Sequence, residues 1–402
     1  MSESDPAGPL EGVTVVEAGS MISIGTVGRL LADFGADVIK IEHPTMGDHL
    51  REFGPQADGV GLWWKYLGRN KRSVTLDIST PAGKAVFEDL VAEADALIEN
   101  FRPGTLERWG VGYETLAQAN PGLVMLRLSG FGQTGPYSDR PGFGTLAEAM
   151  SGFAYLNGHP DREPLLPPTG LADGIAAMFS TMAVAFALYN RDANDGGGQY
   201  IDTSLIEPIL SLIGPQPLRY DQLDEIEARS GNRSTSSAPR NVYETGDGRA
   251  VAISASAQPI AERVFEAIER PELIEDPRFL DNERRLEHVD ALDEILQDWI
   301  GEHSRAEVIE QFEAHEATIA PIYNIADIFA DPHYQARESI VEIPDDQLGS
   351  GMVQNTVPRF SETPGHISHL GPPLGAHNQA VYGERLGYDR EMLAELEADG
   401  VI

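Results

Sequence analysis

Asp173 lies in the stretch Pro167-Pro-Thr-Gly-Leu-Ala-Asp-Gly174, where a loop bearing prolines and glycines runs into the apolar segment Ile175 to Tyr189. A side chain at such a junction is held firmly yet can face a cleft. Its carboxylate has two readings: it caps the helix by accepting a first-turn N–H, or it attacks an activated carbonyl as a nucleophile. The chain has no cysteine, which removes disulfides, thiolate metal ligands and a thiol nucleophile. Covalent chemistry would then use oxygen or nitrogen. Gly130, Gly132 and Gly135 spell G-x-G-x-x-G, but Pro136, Tyr137, Ser138 and Pro141 follow. A dinucleotide fingerprint opens a helix whose N-terminus holds the pyrophosphate. Here a flexible loop near the site is expected instead.

The elements that must position these residues show in the hydrophobic periodicity. Val13 to Glu17, Asp37 to Ile41, Ser73 to Asp77, Ala96 to Ile98 and Leu123 to Leu128 are β-rich runs. Met21 to Phe34 has helical spacing, and Pro81 to Ala94 reads as a helix capped by Thr80 with proline at its first position. Strands separated by helices predict a parallel sheet and an α/β first half. Ala172 to Asn190 is predicted to be a helix buried on most sides. It is followed by a turn at 192–199, a strand from Tyr200 to Thr203 and an apolar helix from Leu205. Composition then divides the chain: 1–218 as a large domain, 219–240 as a polar serine-bearing linker, 241–323 as a smaller α+β domain, and 324–402 as a tail packing back on the first. The acidic positions of Ala291 to Ile300 and Ala306 to Ala314 read as solvated helix faces.

The chain has 402 residues, 41% hydrophobic and 23% charged, which is ordinary globular composition. Its N-terminus is acidic and lacks a basic segment followed by an apolar run, so a cytoplasmic protein is expected. A net charge of −35 argues against nucleic-acid or anionic-membrane partners, both of which reward the opposite sign. Lysine occurs only at positions 40, 65, 71 and 84. An acidic surface with few ammonium stems suits a high-salt cytoplasm, where screening suppresses self-repulsion, so a halophilic source is expected.

Seven stretches stand in order along the chain: Gly28–Glu42, Asn70–Asp77, Glu99–Gly104, Ser129–Pro136, Ala149–Gly152, Gly198–Asp202 and Leu374–His377. Together they resemble the class III CoA-transferases, the CaiB/BaiF group that also contains formyl-CoA transferase and the α-methylacyl-CoA racemases. The resemblance implies a Rossmann-like large domain built from both ends of the chain, a small middle domain, and a homodimer of two subunits interlocked like rings. It aligns Asp173 with the catalytic aspartate, and His43, Leu76, Asn100, Phe101, Arg102 and Arg108 with contacts to coenzyme A, which enters as the acyl-CoA substrate. No tightly bound cofactor and no metal are implied.

The chemistry agrees. Moving CoA between carboxylic acids without hydrolysis can proceed by an aspartyl anhydride and an aspartyl thioester, and the acceptor acid is already ionised at neutral pH, so no general base is needed. Backbone N–H groups of the Gly130 to Gly135 loop are candidate oxyanion donors. Small dicarboxylates are the expected substrates, with succinyl-CoA as donor and mesaconate as one acceptor; intramolecular transfer within one dicarboxylate would use the same aspartate. The family pattern is broken in places. Ile22 stands where formyl-CoA transferases carry glutamine, Ser23-Ile24-Gly25 replaces Ala-Gly-Pro, and His43 replaces an arginine. The formyl-CoA transferase polyglycine loop has no counterpart around Gly231-Asn232-Arg233. The racemases need two acid/base groups; the positions of their His-Asp pair are Phe143 and Gly144 here, and His159 lies in a Gly-His-Pro turn.

Overall fold

Six short runs of β-branched and aliphatic residues build the central sheet of a computed structural model that describes residues 8–194 and 196–402. The first seven residues of the acidic start, and Asp195 in the 192–199 turn, lie outside the described residues. The elements that frame the sheet and the site are, in chain order, β1 (Thr14–Ala18), α1 (Ile22–Asp33), β2 (Asp37–Glu42), β3 (Lys71–Thr75), α2 (Pro81–Ala92), β4 (Ala96–Glu99), β5 (Val124–Ser129), α3 (Gly144–Met150), α4 (Leu171–Ala193) and β6 (Gln199–Ser204). All neighbouring pairs are parallel, and the order across the sheet is β3-β2-β1-β4-β5-β6. This is the doubly wound arrangement, whose strand order reverses between β1 and β4.

The strand periodicity of two decides which side chains go where. Val16, Leu97 and Met125 enter one core with Phe87 and Tyr382, while their neighbours Val15, Ile98 and Leu126 enter the other with Val27, Leu31 and Ala176. Helix α2 begins as its sequence predicts: Thr80 Oγ1 accepts the Gly83 N–H at 3.0 Å and Pro81 occupies the first turn. The end of the chain is tied to the same unit, with Tyr382 donating to the Thr75 carbonyl at 2.9 Å. The unit comprises the chain up to Phe153, Leu166–Gly214 and Ala336–Ile402.

One expectation is corrected. Helix α4 is not buried on most sides: Met178, Met182, Phe186 and Tyr189 form an exposed stripe, while Ala172, Ile175, Ala176 and Val184 enter the core. Apolarity all round a helix cannot distinguish core packing from a face left for another molecule. Three of the four lysines, Lys40, Lys65 and Lys71, are buried, so the surface carries still fewer ammonium groups than the count implies. Lys40 lies 3.0 Å from Glu17 and 2.8 Å from Asp48, Lys71 lies 2.6 Å from Glu17, and Lys65 lies 2.6 Å from Asp345. Only Lys84 of the four is left at the surface.

The second unit comprises Ala154–Leu165 and Pro215–Gln335. A three-stranded antiparallel sheet of β7 (Arg240–Glu244), β8 (Ala250–Ser254) and β9 (Ile319–Pro321) has β8 at its centre. Helices α5 (Gln258–Ala267), α6 (Val289–Gly301) and α7 (Arg305–Ala314) cover it around Tyr243, Phe265, Leu296 and Phe312. The polar segment 219–240 is ordered within this unit: Arg233 pairs with Asp293, and Arg229 donates to the carbonyls of Tyr155, His159 and Arg162. Asp293 departs from the solvated-face expectation for α6, since the Tyr243 hydroxyl donates to it at 2.6 Å and Asn241 at 2.8 Å.

Candidate active site

In a doubly wound sheet, ligands sit outside the carboxyl ends of the strands at the switch point. Here β1 runs into Gly19-Ser20-Met21, β4 into Asn100-Phe101-Arg102 and β5 into Gly130, and these loops wall a cavity of about 260 Å³. A second cavity of about 280 Å³ is walled by His43 after β2, Leu76 after β3, and Trp109. Gly19, Ser20 and Phe101 belong to both walls, so the two cavities are contiguous along the carboxyl edge of the sheet.

The shared loop is pinned from three sides. Asn100 receives the Ser20 N–H at 3.0 Å and donates to the Ser20 carbonyl at 2.8 Å. Lys40 donates to the Gly19 carbonyl at 2.6 Å, and Asp48 accepts the Met21 N–H at 3.2 Å. Met21 is thereby held at φ 73°, a conformation costly for a side chain with a Cβ and typical of functional loops.

Asp173 faces the first cavity from the first turn of α4. It is not the N-cap: that position is Gly170, which offers no side chain, and Asp173 stands three residues further in. The carboxylate of Glu148 on α3 instead accepts the Ala172 N–H at 3.2 Å. The Ser23 side chain of α1 hydrogen-bonds Asp173. A Cβ built on Gly144 would lie 2.2 Å from Asp173 Oδ2, so only glycine lets α3 pass this close. Burial, reinforced by the charge of Glu148 and opposed by the Ser23 hydrogen bond, pushes Asp173 up to about 6.

The structure brings most of the sequence-predicted contacts to these cavities and leaves one out. Asn100, Phe101 and Arg102 line the first, and His43, Leu76 and Phe101 the second. Arg108 lines neither; it donates to Thr105 Oγ1 at 2.8 Å in an exposed turn. Its neighbour Trp109 lines the second cavity and packs edge-to-face on Phe101, centroids 5.2 Å apart. Two of the expected oxyanion donors are occupied: the Gly132 N–H bonds Ser129 Oγ, and the Gln133 N–H bonds both Asp202 oxygens, each at 3.0 Å. Sequence reading did not single out Arg140, which lines the same cavity as Asp173, or Glu148, a lone carboxylate in the helical stretch Leu146-Ala-Glu-Ala-Met150. Among the described residues no group of three His, Asp or Glu side chains is placed to hold a metal ion.

Strand order, switch-point crevice and a carboxylate held up by burial define a doubly wound α/β enzyme. The chain belongs to CoA-transferase family III, whose pattern matches residues 10–378, and it is a CoA-transferase. It is 41% identical, over the full length of both chains, to a succinyl-CoA–D-citramalate CoA-transferase of Chloroflexus aurantiacus. It is 43% identical to the β subunit of a succinyl-CoA–L-malate CoA-transferase of the same organism, covering 98% of each chain. The crystal structure of a CaiB/BaiF family protein from Brucella suis superposes with a TM-score of 0.84 at 32% identity, over 94% of this chain and 99% of that one.

Proposed function

We propose that this enzyme moves CoA from succinyl-CoA to a second small dicarboxylic acid through covalent intermediates on Asp173. The observation that carries the reading is the Asp173 carboxylate itself, freed from helix capping and aimed into the switch-point cavity. Its oxygen attacks the thioester carbonyl, CoA leaves as thiolate, and an acyl-aspartyl anhydride forms. The thiolate attacks the aspartyl carbonyl, releasing succinate and leaving an aspartyl-CoA thioester. The acceptor carboxylate displaces CoA to form a second anhydride; the thiolate then attacks its acyl carbonyl, giving the new acyl-CoA and restoring Asp173. No proton is needed at any step.

The second cavity, with His43, Leu76 and Trp109, suits the distal part of CoA, and Arg102 a phosphate oxygen. Arg140 takes the far carboxylate of the dicarboxylate: it lines the Asp173 cavity, stacks on Tyr137 at 3.7 Å, and makes no ion pair among the described residues. The names of the Chloroflexus relatives support a C4 or C5 acceptor, so D-citramalate, L-malate and mesaconate head the candidates. The exposed stripe of α4 supports a homodimer, and the charge of −35 supports a high-salt cytoplasm. Racemisation is disfavoured because the described residues of the first cavity's wall include no histidine, and the positions that the resemblance gives to the racemases' His-Asp pair hold Phe143 and Gly144.

The experiment is incubation with succinyl-CoA and a panel of free acids, following new CoA esters by mass, with Asp173→Ala as control. Hydroxylamine added during turnover should convert the thioester at Asp173 to a hydroxamate located by peptide mass spectrometry. Full activity of Asp173→Ala sinks the covalent mechanism. Turnover of a 2-methylacyl-CoA epimer without any free acid selects the racemase instead.

A further inference from the structure

We propose that Glu148 is a positioning residue that supplies, from the neighbouring helix, the acceptor that the N-cap Gly170 lacks, and so lets α4 start without drawing the Asp173 carboxylate into its capping. The proposal rests on Asp173 being the nucleophile. Glu148 is 2% exposed and has no cationic partner among the described residues. A buried carboxylate in that state is costly, so its position calls for a compensating role.

The geometry supplies one. The first-turn N–H groups of a helix need acceptors, and α4 begins at a glycine that has none to offer. A glutamate or aspartate at the third helical position commonly folds back to serve the helix start. Asp173 occupies that position, and a carboxylate tied up by backbone N–H groups would be a poor nucleophile. Glu148 fills the Ala172 N–H from the neighbouring helix, and Gly144, one turn earlier on the same helix, leaves room for the Asp173 carboxylate. Asp173 is left with the Ser23 hydroxyl. Acylation converts Asp173 to a neutral anhydride, so attack removes one of two adjacent negative charges and the repulsion favours the forward step.

Other charged groups around α4 have their own partners. Arg29 and Asp33 of α1 pair with each other, Arg127 of β5 with Glu99 and Glu107, and Glu207 with Ser204. Asp202 of β6 accepts the Gln133 N–H. Arg102 and Arg140 stand in the cavity wall, and Glu99, pushed by burial up to about 7, lies beneath the Asn100–Arg102 loop. All of these are common to wild type and a Glu148 variant, so a difference between the two isolates Glu148.

The test is the pH profile of kcat/KM, from about pH 4.5 to 8, for wild type, Glu148→Gln and Ser23→Ala with one acyl-CoA and one acid. Glutamine keeps an acceptor for the Ala172 N–H but removes the charge. The acid limb of Glu148→Gln should move down by roughly half to one pH unit, with kcat about tenfold lower and both KM values within about twofold. Ser23→Ala should move the limb up. Glu148→Ala removes the acceptor as well as the charge and should lower kcat further than Glu148→Gln; equal kcat in the two variants overturns the capping role, and an unmoved limb in Glu148→Gln overturns the closeness of the two carboxylates. If that variant does not fold, Glu148→Asp decides: it keeps the charge but shortens the reach to the Ala172 N–H, so kcat should fall, and a kcat equal to wild type overturns the role of Glu148. Activity in Asp173→Ala would sink the nucleophile reading itself; an inactive Asp173→Ala with an unmoved Glu148→Gln limb sinks only the role of Glu148.

Discussion

Lys40, buried on β2, donates to the carbonyl of Gly19 at 2.6 Å and so ties the ion pairs under the sheet to the loop that walls both cavities. Burial alone would lower the basicity of Lys40, but Asp48 and Glu17 outweigh it and raise it, so the side chain is charged throughout the working pH range. Lys40→Met should cost about 3–5 kcal/mol, because it leaves Glu17 and Asp48 buried without their shared cation. Urea unfolding of the two proteins measures this; a loss below about 1 kcal/mol would show that the network relaxes to water.

Asp173→Asn should abolish transfer yet stabilise the fold at neutral pH. The carboxyl group titrates near 6 in the folded state against 3.8 when unperturbed. Its folded value is raised, so its stabilising contribution is complete below about pH 4 and is lost as pH rises through about 6. At pH 7 to 8 the asparagine variant should gain about 1–3 kcal/mol over wild type, and near pH 4 the gain should vanish. Denaturant midpoints at the two pH values give the answer.

Gly144→Ala tests the close approach of α3. The new methyl would meet Asp173 Oδ2 at 2.2 Å and must displace the carboxylate. A displacement of this size at the reacting atom should lower kcat about a hundredfold. KM for the acyl-CoA should stay nearly constant, and thermal unfolding should confirm that the helix start tolerates alanine.

Arg140→Gln should separate the two substrates. Loss of a charge-assisted hydrogen bond to the far carboxylate should raise KM for the acceptor acid about ten- to a hundredfold, with KM for the CoA thioester changed less. The variant should also lose discrimination against monocarboxylates, which competition between succinate and butyrate would show.

Salt should stabilise this protein. Between about 0.1 and 1 M KCl the screening length falls from roughly 10 to 3 Å, which weakens repulsion among surface carboxylates but leaves the buried pairs of Lys40, Lys65 and Lys71 nearly untouched. The unfolding temperature should rise across that range. A flat or falling temperature would assign the −35 charge to a role other than adaptation to salt.

Local rules made much of the architecture legible. Strand runs, helix spacing and the Thr80-Pro81 start depend on neighbouring residues, and each stands in the structure within a few positions of its expected place. Asp173 was legible for the same reason, as a carboxylate where a glycine-bearing loop becomes a helix. Its partners were not. Ser23, Gly144 and Glu148 reach it from two other helices, and no local periodicity encodes which donor a buried carboxylate will meet. For Arg108, likewise, no local pattern told that its side chain would bond the neighbouring Thr105 and line neither cavity.

The sequence by itself therefore determined the parallel α/β layout, the absence of a cysteine nucleophile and the place of Asp173, the proposed nucleophile, at a loop-to-helix junction, because composition and short-range pattern suffice for these. Only the tertiary structure decided that the Asp173 carboxylate stands at a helix start without capping it. Glu148, 25 residues earlier in the chain, supplies the acceptor that the helix requires, and the fold brings the two carboxylates together at the edge where the strand order reverses.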